Sequence, residues 1–189
     1  NLRVQFKTVV GKGKAIIAKI ATSGIYHMSV NGKFVCYGPA RAGRGFFRVD
    51  EIDLTPFADQ EQNTVIIEVC GYNARSYYLI KQDSFLTAEL SADGRVEAYT
   101  GNNFTARINP EYIKKIQRYS FQRPFAESYR IIEGDTYFTD AVQGTEPLSY
   151  LPQPKYLKRS TPYPLYEKTG AKRILGGTFS FSERDEYWR

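Results

Sequence analysis

The chain has 189 residues, of which 42% are hydrophobic, 15% aromatic and 24% charged, a balance that supports a folded core and excludes a disordered polar chain. Its net charge of +6 is spread evenly, since residues 1–107 and residues 108–189 each carry 13 basic and 10 acidic side chains. No segment therefore offers the concentrated basic face that phosphate binding needs, and no apolar run approaches the roughly 18 residues of a membrane span, so neither nucleic acid nor membrane is expected as a partner.

The chain begins at Asn1 and its one methionine is Met28, which suggests a cut-out or mature form of a longer protein. "KAIIAKIA" at 14–21 is the first expected strand. Tyr26, Met28 and Val30 then alternate with His27, Ser29 and Asn31, the two-residue period of a half-buried strand. Asn31-Gly32 is a strong hairpin signal, with "KFVCYG" as the returning strand. In "FFRVDEIDL" (46–54) the apolar positions shift from Phe47 and Val49 to Ile52 and Leu54, which predicts a bulge near Asp50 and Glu51. "TVIIEVCGY" (64–72), "FLTAEL" (85–90) and "RVEAY" (95–99) complete the set, the last two joined through Asp93-Gly94. Short strands with turns between them and no helix signal favour a β-sandwich or barrel.

The texture changes after about residue 108. Seven of the nine prolines fall between 110 and 164, and "LPQPKYLKRSTPYPLYE" reads as an extended, proline-stiffened connector. "NPEYIKKIQ" predicts one or two helical turns capped by Asn109, with Pro110 at the first helical position. "GTFSFS" near the end alternates as a strand. The expected division is a sandwich over 1–108 and, over 109–189, a linker with the start of a second β region.

The residue inventory excludes much chemistry. With His27 the sole histidine, there is no histidine metal set, and a Ser-His-Asp triad would have to use it without any G-x-S-x-G elbow. "GKGKAI" and "GRGFF" match no phosphate-loop pattern, and "NFT" at 103–105 is a glycosylation sequon of common occurrence. Cys36 and Cys70 read as two thiols in strands, with a single bridge between them left open.

Two clusters remain. Asp50, Glu51 and Asp53 lie on one strand, with 51 and 53 on one face and 50 on the other, so they are poorly placed as the paired acids of a glycosidase. Salt bridges to Arg41, Arg44 or Arg48 are the simpler expectation. Tyr72, Tyr77 and Tyr78 surround the polar Asn73-Ala74-Arg75-Ser76 turn, which suits either a sugar-binding platform or packing on the sandwich.

"IYHMSVNGKFVCYGPAR", "VDEIDLTPF" and "NTVIIEVCGYN" together resemble the N-terminal accessory domain of bacterial α-L-rhamnosidases of glycoside hydrolase family 78, over about residues 2 to 107. The resemblance implies a galactose-binding-like jelly-roll β-sandwich standing before a further β-domain and an (α/α)-barrel that holds the catalytic carboxylates. No stretch here resembles that barrel. "RYSFQRPFAESYRI" and "PKYLKRSTPYPLYE" are similar to the linker into the second β-domain. What the resemblance implies is a non-catalytic module, periplasmic or extracellular, that needs no cofactor, with a structural calcium left open. Its rim residues Arg41, Arg44, Asp50, Tyr72, Asn73 and Tyr77 would contact a rhamnose-containing glycan or the downstream catalytic domain of the same chain. The alternatives are a scaffold that binds nothing and a self-contained glycosidase using Asp50 or Asp53.

Overall fold

A computed structural model describes residues 1–72, 74–77, 80–116, 118, 120, 122, 125–133, 154–170 and 176–177. Ten strands fall in chain order: β1 (Leu2–Gly11), β2 (Ile16–Thr22), β3 (Tyr26–Val30), β4 (Lys33–Gly38), β5 (Phe46–Asp53), β6 (Gln62–Gly71), β7 (Leu86–Ala92), β8 (Arg95–Tyr99), β9 (Thr105–Ile108) and β10 (Lys155–Lys158). They form two five-stranded sheets, ordered β4-β3-β6-β1-β9 and β10-β5-β2-β7-β8. The protein is an all-β sandwich, as the strand pattern predicts. The short 3-10 turn Thr55–Phe57 is its one helical element among the described residues.

The core lies between the sheets and follows the sequence alternation. Tyr26, Met28 and Val30 point inward from β3, Ile16, Ala18 and Ile20 from β2, and Val65, Ile67 and Val69 from β6, all buried. Each fully buried aliphatic side chain contributes about 1.5–3 kcal/mol of transfer free energy. The β3–β4 hairpin turns at Asn31 (φ 49°) and Gly32 (φ 75°) with Val30 opposite Lys33. Two positive φ values in a two-residue loop define the type I′ turn, whose twist matches that of the strands, which is why Asn-Gly marks it. Asp93 and Gly94 repeat the arrangement between β7 and β8.

Three local expectations are corrected. First, β5 pairs with β2 over Asp50–Asp53 in unbroken register, with no bulge at Asp50 and Glu51. The change of apolar phase instead marks a change of partner, because the first half of β5, Phe46–Val49, pairs with β10. The register shifts fall between Met28 and Ser29 and between Leu90 and Ser91. Second, residues 109–116 are not helical. Asn109 does accept from the backbone N–H of Glu111 at 2.9 Å, but Ile113 then donates to Ser128 and Arg130 to Glu111, so this segment pairs with residues 128–130 instead of coiling. Third, β1 is an interior strand of its sheet, paired with β6 on one side and β9 on the other, although it is absent from the expected strands. The "GTFSFS" strand lies outside the described residues.

Candidate functional site

A cleft of about 300 Å³ opens at one end of the sandwich, where loop 39–43 and the first residues of β5 face the β2–β3 turn at 22–25 and the segment around Tyr77. The chain enters that loop through a cis Gly38–Pro39 bond. Phe46, Phe47 and Tyr77 supply rings, Arg41 and Arg48 supply guanidinium groups, and Gln82 supplies an amide. Phe47 is fixed edge-on against Phe85 at 4.7 Å between centroids, whereas Tyr77 is 76% exposed. Arg48 is tied down: its Nε donates to the Arg41 carbonyl at 2.8 Å, and its Nη1 to the Lys158 carbonyl at 3.0 Å and to Ser160 Oγ at 3.2 Å.

The acids of β5 lie elsewhere. Asp50 faces the core, where Tyr26 Oη donates to its Oδ2 at 2.7 Å and Arg159 Nη1 to its Oδ1 at 2.8 Å. Burial first, then the neighbouring Cys36 and Asp50, push the Tyr26 hydroxyl far above its ordinary pKa, so it stays a hydrogen-bond donor. Arg159 is bound in turn by the Thr161 and Pro162 carbonyls and stacks on Tyr163, 4.1 Å from the ring centroid. The expected partners of Asp50 on its own loop, Arg41, Arg44 and Arg48, give way to an arginine from the proline-rich segment. Asp53 Oδ1 accepts from the Thr55 N–H at 2.9 Å and so caps the 3-10 turn.

A third cluster surrounds Arg3 on β1. Its guanidinium is buried, pairs with Glu127, donates to Tyr72 Oη at 3.1 Å, and lies 4.4 Å from the Tyr112 ring centroid and 5.0 Å from that of Tyr72. Glu127 Oε2 also accepts from Tyr129 Oη at 2.9 Å. Cation–π contact and a charge-assisted pair fasten Tyr112 and Glu127 to the first sheet.

The six candidate residues therefore separate. Arg41 and Tyr77 meet at the cleft; Arg44 is exposed on the loop outside its lining; Asp50 is buried and paired with Arg159; Tyr72 belongs to the Arg3 cluster; Asn73 lies outside the described residues. Arg48, Phe46 and Phe47 line the cleft without having been singled out for it, and "GRGFFR" was their signal, two rings and a cation directly after a glycine turn. Nothing local announces Arg159 or Arg3. Cys36 and Cys70 are free thiols, and burial pushes each up to about 11. Among the described residues no group of three or more His, Cys, Asp or Glu side chains could hold a metal ion.

Segment 154–170 crosses both sheets as a strap. β10 runs parallel to β5, Tyr156 Oη and Thr87 Oγ1 share a hydrogen bond of 2.7 Å, and Tyr163 Oη accepts from the Glu51 N–H at 2.7 Å. Farther along, Tyr166 Oη accepts from the Tyr37 N–H at 3.1 Å and donates to the Tyr37 carbonyl at 3.0 Å, satisfying both backbone groups on an edge strand. The seat for Tyr166 comes from the β4 bulge. Val35 is the extra residue between Phe34 and Cys36, so Phe34 and Tyr37, three positions apart, reach the same outer face with ring centroids at 5.0 Å.

This two-sheet arrangement matches part of the crystal structure of a GH78 family rhamnosidase of Bacillus sp. GL1, with a TM-score of 0.70 and 21% identity over 86% of this chain. The chain carries the fold of a rhamnosidase segment. It spans 19% of the length of that enzyme. Parts of α-L-rhamnosidases from Dictyoglumus thermophilum (TM-score 0.44, 14% identity, 58% of this chain and 14% of that one) and Streptomyces avermitilis (0.42, 13%, 57% and 10%) match more loosely. No protein-family model and no curated protein matches the chain.

Proposed function

We propose that this chain is a non-catalytic accessory module of a larger rhamnosidase-type glycoside hydrolase, contacting carbohydrate at the cleft and holding the following polypeptide in a fixed path. The observation that carries this reading is the division of labour between acids and cleft. Asp50 is committed to Tyr26 and Arg159, Asp53 to the Thr55 N–H, and the described lining of the cleft holds rings, hydroxyls and donors but no carboxylate. Glycoside hydrolysis ordinarily needs two acids flanking one bond, whereas sugar contact needs a ring face and a few aimed polar groups. The resemblance of the chain to rhamnosidase accessory domains supports the same assignment, and a rhamnose-containing glycan is the saccharide it suggests.

The test is titration calorimetry of the chain with rhamnose and rhamnogalacturonan oligosaccharides, alongside an assay on a chromogenic rhamnoside. Binding without hydrolysis is expected, and Arg41→Ala with Tyr77→Ala should abolish the heat. Hydrolysis by the chain alone overturns the reading.

A second reading, a scaffold that binds no sugar, is favoured by the strap. Tyr156, Arg159, Tyr163 and Tyr166 fasten the segment to the sandwich at four places, as a spacer that orients a neighbouring domain requires. Absence of heat with every saccharide selects it.

A further inference from the structure

We infer that the cleft selects a saccharide bearing a carboxylate, a uronate unit, over a neutral sugar; this deepens the carbohydrate-contact reading above and rests on it. The charge of the lining carries the argument. Its described residues include two guanidinium groups and no acid. Arg48 is the decisive one, because its three hydrogen-bond acceptors, the Arg41 and Lys158 carbonyls and Ser160 Oγ, are all neutral. They fix the plane of the guanidinium and leave its charge uncompensated, a preorganised cation in the wall of a cleft. Lys155, outside the lining, holds a further positive charge near one of the cleft's rings, with Nζ 5.5 Å from the centroid of the Phe46 ring.

The acids of β5 do not cancel this field. Asp50, two residues on and on the same side of the strand as Arg48, is neutralised by Arg159. Glu51 has the opposite parity and is exposed.

Hydrogen-bond chemistry points the same way. Guanidinium and ammonium groups only donate, and an ionised carboxylate only accepts. A neutral pyranose presents hydroxyls that ask for acceptors as well as donors, and a neutral-sugar site ordinarily answers with a carboxylate or amide oxygen. Here the charged groups are donors alone, with Gln82 the one amide side chain beside them in the described lining, and the Nη2 of Arg48, which makes none of the three hydrogen bonds above, is the donor left for a carboxylate oxygen. Phe46, Phe47 and Tyr77 offer faces for the apolar side of the sugar ring. At about 300 Å³ the cleft sits at the small end of ligand sites, which fits a short saccharide end or branch.

The experiment is titration calorimetry of the whole chain with three probes: trigalacturonate, its fully methyl-esterified form, and inorganic phosphate. The ester keeps the rings and hydroxyls and replaces each charged carboxylate by a neutral methyl ester. The acid should bind at least about tenfold more tightly than the ester, the worth of a hydrogen bond to a charged group, and should weaken as salt rises. Arg48→Gln should bring the acid down to the ester's affinity, and Arg41→Gln provides the same readout should Arg48→Gln lower the thermal unfolding temperature. Equal binding of acid and ester overturns the inference and leaves the carbohydrate-contact reading standing, as does binding of a neutral rhamnose oligosaccharide alone. Phosphate binding as tightly as trigalacturonate also overturns it, by assigning an anion site indifferent to sugar. No binding of any saccharide removes both.

Discussion

Arg159 reaches back 109 positions in the chain to place its Nη1 2.8 Å from Oδ1 of Asp50. The pair is closed off from solvent, with side-chain exposures of 8% and 1%, and Tyr26 completes it from the core side. An acid on the inner face of a sandwich strand is unfavourable without a partner, and here the partner comes from the strap. This pair ties the proline-rich segment to the first half of the chain at the point where β5 passes from β10 to β2.

Breaking such a pair from one side strands the other charge, which typically costs about 3–5 kcal/mol, while removing both charges costs far less. Arg159→Met should therefore lower the unfolding temperature by roughly 2–4 °C per kcal/mol, on the order of 10 °C in all. Asp50→Asn combined with Arg159→Met should recover much of that loss, because asparagine still accepts from Tyr26 and no charge remains buried. Thermal unfolding followed by circular dichroism measures both. An Arg159→Met variant as stable as the parent would mean that the strap is not held by this pair.

Gly38 tests the same neighbourhood by volume. A Cβ at this position would collide with Asp50 Oδ2 and approach the Tyr26 ring to 2.5 Å, and both neighbours are locked by their mutual hydrogen bond. Gly38→Ala should cost roughly 3 kcal/mol, the upper part of the range for overpacking a close-fitted site. Gly43→Ala, where a Cβ meets nothing within 4 Å, should stay within about 0.5 kcal/mol of the parent. Urea unfolding of the two variants compares them directly, and equal midpoints would remove the steric argument.

What the sequence made legible was local. The β3–β4 hairpin could be read because Asn31-Gly32 fixes its turn and Tyr26, Met28 and Val30 bury one parity. β1 has the same kind of signal, with Val4, Phe6 and Val10 on one parity, but its other parity carries Arg3, which is also buried. That burial depends on Tyr72, Tyr112 and Glu127, residues far along the chain. The helix expected from "NPEYIKKIQ" failed for a related reason: the Asn109 cap is local and real, but Tyr112 is drawn down over Arg3 by a tertiary contact that propensity does not contain. The cleft was half legible. The chemistry of Arg41 and Tyr77 is visible in the sequence, whereas Arg48 acquires its place only once Lys158 and Ser160 hold it. Asp50 looks like a rim residue in the sequence because its partner lies in a segment with no strand pattern of its own.

His27 offers a titration that no other residue obscures, since it is the sole histidine. Its ring stacks on Phe34 at 5.4 Å and tilts against Tyr37 at 5.3 Å between centroids. Burial lowers its pKa below the ordinary 6.5, and the nearby Glu68 opposes this only in part. The unfolded chain therefore takes up a proton on this ring more readily than the folded one. The stability contributed by the neutral ring is fully present above about pH 6.5 and is lost as pH falls from there through the lowered folded value. The urea midpoint should decline as pH falls below about 6.5, and His27→Gln should flatten the start of that decline. The ring proton signals of His27 in a proton NMR titration should give a midpoint below that of a free histidine. A midpoint at or above 6.5 would show that Glu68 outweighs burial and would reverse the expected slope.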